Sequence, residues 1–135
     1  MSGNKGERRS AWAAHPDYRV GFEPTKKRVR VQFNGQTVAD SSRARIMLET
    51  RHKPVYYLPR ADVAMEFAQR SDHESFCPFK GQASYWTLVV DGRSSENAMW
   101  SYEQPFAEVA GIRDYMAFYG DRVDALCVGD ERVGW

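Results

Sequence analysis

The stretch "RVRVQFNGQTVAD", Arg28 to Asp40, constrains the fold more than any other part of the chain. Val29, Val31 and Phe33 fall on one side of a period-two pattern, and Arg28, Arg30 and Gln32 on the other. An extended strand sends alternate side chains to opposite faces, so this pattern reads as a half-buried strand. Asn34–Gly35 then supplies the two positive-φ positions that a tight hairpin turn requires. "QTVAD" returns as the partner strand.

The rest of the chain continues in the same style. "RARIMLET" alternates Ala44, Ile46 and Leu48 against Arg45, Met47 and Glu49. A short helix would fit these residues too, but the β-rich surroundings favour a strand. "VYYL" lies between Pro54 and Pro59 and is rich in β-formers. "RADVAMEFAQR" predicts one helical turn over 61–64 and then a strand. "SYWTLVV", "DGR" and "ENAMWSY" read as a second hairpin, "FAEVAGI" as a helical turn, and "DYMAFY" and "VDALCV" as the last strands. "HPDYRVGFEPTKK", with its two prolines, reads as an extended arm leading into the domain. Short strands at intervals of roughly 8–12 residues predict a mainly β fold. We expect a compact single domain of about eight short antiparallel strands, a sandwich or partly open barrel with little helix. Residues 1–14 are expected to be a loose N-terminal segment and 15–135 the β domain.

A chain of 135 residues with 42% hydrophobic and 13% aromatic content can bury one real core. The formal net charge of +1 gives no global attraction to nucleic acid, which is not an expected partner. Residues 1–30 carry eight Lys/Arg against Glu7, Asp17 and Glu23, which reads as a solvated face or a polyanion-binding arm. No apolar run reaches about 18 residues, so no membrane span is expected. "MSGNKGERRSAW" lacks the apolar segment of a secretory signal. With only Cys77 and Cys127, no disulfide framework can form, and a cytoplasmic protein with reduced thiols is the expectation.

Chemistry concentrates in "FCPFKGQASYW", Phe76 to Trp86. No C-x-x-C or H-x-x-x-H pair is present, so no metal site is expected; only His73, Cys77 and Cys127 remain as conceivable soft ligands. Phosphate-cradling glycine loops, a D-x-D pair and a G-x-S-x-G elbow are all missing. In "CPFKG", Pro78 presets φ for the second position of a β-turn and Gly81 suits the exit. Cys77 and Lys80 would then lie close, and an ammonium beside a thiol favours the reactive thiolate. The plain alternative is a corner anchored by a small buried cysteine, with Lys80 in water. Tyr85, Trp100 and Tyr102 on the adjoining strands would wall a hollow near this corner. Arg43, Glu49 and Tyr57 are further candidates to line it, or else Arg43, Arg45 and Glu49 form an exposed charged face.

"RVRVQFNGQTVADSSRARIMLE", "PVYYLPRADV", "CPFKGQASYW", "NAMWSYEQP" and "AFYGDRVD" occur in this order. Together they resemble the family called domain of unknown function 427, over nearly all of residues 15–128. The resemblance implies a β fold similar to the β-tent group, which includes methionine-R-sulfoxide reductases and Mss4-like domains. Those relatives often hold zinc with two C-x-x-C pairs, which this sequence lacks. The family also carries a nucleotidyltransferase label. The residues that match its motifs are Arg43, Glu49, Tyr57, Cys77, Lys80, Gly81, Tyr85, Trp100 and Tyr102. The expected function is a small-ligand-binding β domain with a Cys/Lys/aromatic pocket. The alternatives are an enzyme with Cys77 as activated thiol and Lys80 as its activator, or nucleotidyltransferase-like activity. Nothing in the sequence names a cofactor.

Overall fold

Two tight turns set the register of the strands. Asn34 and Gly35 have φ of 49° and 79°, and Asp91 and Gly92 have 48° and 81°. Positive φ at both central residues matches the right-handed twist of the flanking strands and closes each hairpin in two residues. The Asn34 side chain donates to the Val90 carbonyl at 2.8 Å, so the first turn is tied to the strand that leads into the second. Asp124 joins them further, accepting from the Asn34 amide at 2.7 Å and from Arg93 at 2.8 and 2.9 Å.

The structure is a computed structural model that describes residues 9–134. Most of the expected loose segment, residues 1–8, lies outside the described residues. The strands are β1 (Val20–Pro24), β2 (Val29–Phe33), β3 (Gln36–Ser41), β4 (Arg45–Glu49), β5 (Val55–Tyr57), β6 (Ala68–Cys77), β7 (Gly81–Val90), β8 (Arg93–Ser101), β9 (Met116–Phe118), β10 (Ala125–Val128) and β11 (Glu131–Arg132). They form three sheets, ordered β1-β4-β5, β11-β10-β2-β3 and β6-β7-β8-β9. Every strand pairing is antiparallel. No sheet closes into a barrel. Helix among the described residues is limited to short 3-10 turns at Arg60–Asp62, Met65–Phe67, Ala107–Ile112 and Gly120–Arg122. No helix among them is long and apolar enough to cross a membrane.

The mainly β reading therefore holds, with more strands than the eight expected. The additions, β1 and β11, are edge strands. β1 sits inside the stretch read as an extended arm and pairs with β4, with Pro24 at its end. β6 starts in the strand expected after 61–64 and runs on through "SDHES", which has no apolar alternation because β6 is the outer strand of its sheet and is largely exposed.

Two cores lie on opposite faces of the β7-β8-β9 sheet. The larger is mainly aliphatic. Val29, Val31 and Phe33 of β2 and Leu126 and Val128 of β10 meet Trp86, Leu88 and Val90 of β7 and Met99 of β8. The smaller is rich in tyrosine, with Tyr57, Tyr85 and Tyr102 packed among Met47, Ala83, Val109, Ile112 and Ala117. Tyr85 and Trp86 are both buried, at 7% and 5% exposure, although they are neighbours on one strand. Period two sends them into different cores. Their cross-strand partners on β8, Trp100 and Met99, divide in the same way.

Trp86 is covered by cations. The guanidinium carbons of Arg60 and Arg70 lie 5.1 and 5.2 Å from its ring centre. Glu103 holds both arginines, at 3.6 and 2.7 Å, and accepts from the Ser84 hydroxyl at 3.1 Å. Hydrogen bonds from Arg70 foremost, with help from Ser84, outweigh burial and keep the Glu103 carboxyl below its ordinary range. A depressed carboxyl stabilises the fold above its ordinary pKa, and that stability is lost as pH falls through the folded value. Urea unfolding from about pH 6 down to about pH 3 should show the wild type losing stability faster than Glu103→Gln. Parallel slopes for the two proteins would remove Glu103 from the acid response.

Candidate functional site

The corner in "FCPFKGQASYW" folds as its residues dictate. The Lys80 amide donates to the Cys77 carbonyl at 3.2 Å, closing a four-residue turn with Pro78 at the position its fixed φ suits. Gly81 leaves at φ 111°, where a side chain would be strained. Cys77 and Gly81 face each other at the start of the β6–β7 ladder. This geometry turns Lys80 inward, to 6% exposure.

Its partner comes from β4. Glu49 is 7% exposed and Met47 3%, whereas Leu48 is 44% exposed. The expectation that Ala44, Ile46 and Leu48 share the buried face holds at Ala44 and inverts from Met47 onward. Ala44 precedes β4, whose register with β1 and β5 is unbroken, and within the strand the odd-numbered Met47 and Glu49 face inward. This brings a carboxylate to the one buried ammonium described. Glu49 Oε1 pairs with Lys80 Nζ, and Glu49 Oε2 accepts from the Tyr18 hydroxyl. His52 Nε2 lies 3.7 Å from that same oxygen. Lys80 Nζ also lies 6.0 Å from the centre of the Tyr102 ring.

Around the pair stands the tyrosine-rich core. Cys77 and Trp100 are partly buried against Tyr57, Tyr85 and Tyr102. Trp100 Nε1 donates to the Tyr57 hydroxyl at 3.2 Å, and the Tyr85 and Ser75 hydroxyls are 2.8 Å apart. Burial is the main cause that pushes the Tyr57 and Tyr102 phenols far above their ordinary range. Tyr18 is raised as well, by burial first and then by its bond to Glu49. The cluster therefore presents protonated hydroxyls around one ion pair.

A segment ahead of β1 covers this cluster. The Ala11 amide donates to the Pro78 carbonyl and Trp12 Nε1 to the Phe79 carbonyl, each at 2.8 Å. Tyr18 stacks on Phe79 with ring centres 3.8 Å apart and planes 11° from parallel. Trp12 and His15 meet the Phe79 ring edge-on, at 5.1 and 5.8 Å. Beside them is a polar hollow of about 220 Å³ lined by His15, Asp17, Tyr18, Thr50 and Arg51 among others.

The structure thus brings Cys77, Lys80, Glu49, Tyr57, Tyr85, Trp100 and Tyr102 into one neighbourhood. Arg43 is engaged elsewhere, its guanidinium 2.8 Å from Asp62 at the surface. Lys80 is held by Glu49, while Cys77 is half-buried and free of any disulfide. His73 lies against the Tyr85 ring at 4.5 Å, and among the described residues no three His, Cys, Asp or Glu side chains converge as metal donors. Sequence reasoning missed Tyr18, Trp12, His15 and Phe79. They carry no periodicity; the aromatic spacing in "AWAAHPDY" was the signal for Trp12, His15 and Tyr18, and Phe79 lay inside the Cys77–Lys80 turn already singled out.

Comparison with known families decides the relationship. A family model described as "Domain of unknown function (DUF427)" matches residues 21–129. The chain belongs to the DUF427 family. A search of curated proteins returns no match. The DUF427 match takes in Glu49, Cys77 and Lys80 and leaves Trp12, His15 and Tyr18 outside it.

Two outcomes follow from the buried pair and its tyrosines. Lys80→Met leaves a buried carboxylate uncompensated and should cost about 3–5 kcal/mol in urea unfolding. Glu49→Leu/Lys80→Met should recover most of that loss, whereas an equal loss in single and double variants would exclude charge compensation as the cause. At alkaline pH the raised tyrosines make the folded state hold protons that the unfolded state releases. Stability is then complete below about pH 10 and falls above it. Phenolate absorbance should show Tyr18, Tyr57 and Tyr102 ionising only as the protein unfolds, and early ionisation of all seven tyrosines would contradict this.

Proposed function

We propose that this DUF427 chain is a small-ligand-binding β domain whose site is the Glu49–Lys80 pair and the aromatic groups around it. One observation carries the reading: a carboxylate and an ammonium, each less than a tenth exposed, pair inside a tyrosine-rich core. Buried ion pairs are weak contributors to stability because desolvation offsets their attraction. A pair kept in such a place is better explained by what it can bind.

The ligand class follows from the charges. Glu49 and Lys80 cancel, so a singly charged ligand would lose hydration without a net opposite charge to meet it. A small molecule with one hydrogen-bond acceptor for Lys80 and one donor for Glu49 fits both groups. The Tyr18 hydroxyl already occupies the donor position on Glu49 Oε2, and it belongs to the covering segment. Displacement of Tyr18 would open the site, and Trp12 would report it through its contact with Phe79. Ligand binding is preferred over thiol catalysis because the Lys80 ammonium is committed to Glu49.

The test is a thermal-shift and tryptophan-fluorescence screen of free amino acids and small amides, with acetate and methylammonium as singly charged comparators. A donor–acceptor probe should raise the melting temperature of the wild type and leave Glu49→Leu/Lys80→Met unmoved. If every probe acts alike on both proteins, the pair is structural and the proposal fails.

A further inference from the structure

A second hollow, separate from the Glu49–Lys80 pair, lies where the three sheets meet. Val55 and Tyr56 come from β5, Trp100 from β8, Phe118 from β9 and Leu126 from β10, each sheet giving at least one wall. Phe118 and Leu126 form a buried floor with Val133, at 3%, 4% and 6% exposure. Val55, Tyr56, Trp100 and Tyr119 are only partly buried, so the hollow opens on their side. Small-molecule sites are usually concave, mostly apolar hollows with a small number of placed polar groups.

We propose that this hollow binds a neutral planar molecule of one aromatic ring, carrying a hydroxyl or a ring N–H. Its volume is about 150 Å³. An apolar cavity of this order holds a single benzene-sized ring. Trp100 and Tyr119 stand 4.4 Å apart with planes at 42°, making an angled aromatic wall against which a ring can lie flat or edge-on. No Asp, Glu, Lys, Arg or His is among the described residues that line it. A charged ligand would therefore lose its hydration without a counter-ion. Trp100 Nε1 is already given to Tyr57 and the Tyr119 hydroxyl is bonded to Tyr85, so Tyr56 supplies the lining's remaining side-chain hydroxyl. One such hydroxyl matches a ligand with a single polar edge.

Phenol and indole are the probes, with benzoate and benzylammonium as charged counterparts of similar shape. Binding is read from the NMR methyl signals of Leu126 and Val133 and from tryptophan fluorescence of the full chain. Phenol or indole should saturate in the millimolar range and move both methyl signals, with the charged probes at least about tenfold weaker. Val133→Phe fills the floor and should weaken the aromatic probes by about tenfold or more. Val55→Phe fills the rim from a half-exposed position and should do the same even if the floor variant does not fold. Failure of both neutral probes to saturate, equal binding of benzoate, or undiminished binding in the folded filled variants would each overturn the proposal.

Discussion

The constraint on which this structure turns is a sheet buried on both faces. β7 must feed two cores at once, and the strand's period of two leaves no freedom in how. Tyr85 serves one core and Trp86 the other, and the cross-strand partners Trp100 and Met99 follow. A slip of one residue would send tyrosine into the aliphatic core and indole into the ion-pair cluster. The hairpin turns oppose such a slip, because Asn34, Val90, Arg93 and Asp124 bind them together.

The smaller core shows why its composition differs. A core that contains Glu49 and Lys80 cannot be lined by aliphatic groups alone, because every buried polar atom needs a partner. Tyrosine supplies apolar area and a hydroxyl in one side chain. Both Glu49 oxygens are engaged, one by Lys80 and one by Tyr18. The second contact comes from Tyr18, in a segment outside the DUF427 match, whereas Glu49 and Lys80 both lie inside it.

Much of the fold was legible because alternation is a direct print of burial. β2, the Asn34–Gly35 turn, β7 and β8 stand where the pattern put them. The Cys77–Lys80 turn was legible too, from the fixed φ of Pro78 and the permissive Gly81. What failed to show was whatever depends on partners distant in sequence. β1 and the later part of β6 belong to outer strands, and their exposure erases the alternation that would reveal them. Glu49 could be read either as lining the hollow or as part of a charged surface, because Lys80, the cation that makes its burial tolerable, is 31 residues away. The Tyr18 contact depends on a stack against Phe79 that no local pattern encodes.

The order of strands in the β11-β10-β2-β3 sheet has a consequence for how the chain acquires its shape. β2 pairs with β3 on one side and with β10 on the other, so Val31 meets Ala39 nearby and Leu126 far along the chain. During synthesis the β2–β3 hairpin can form early, but its other edge stays unpaired until Ala125–Val128 has emerged. Such long-range closure slows folding. Until then an apolar strand edge, with Val29 and Val31 on one face, is open to other nascent chains. Arg28, just before β2, is bonded to Asp40 of β3, and Arg30 on the opposite face of β2 is left to give that waiting edge a positive charge, and so a means of keeping neighbouring copies apart.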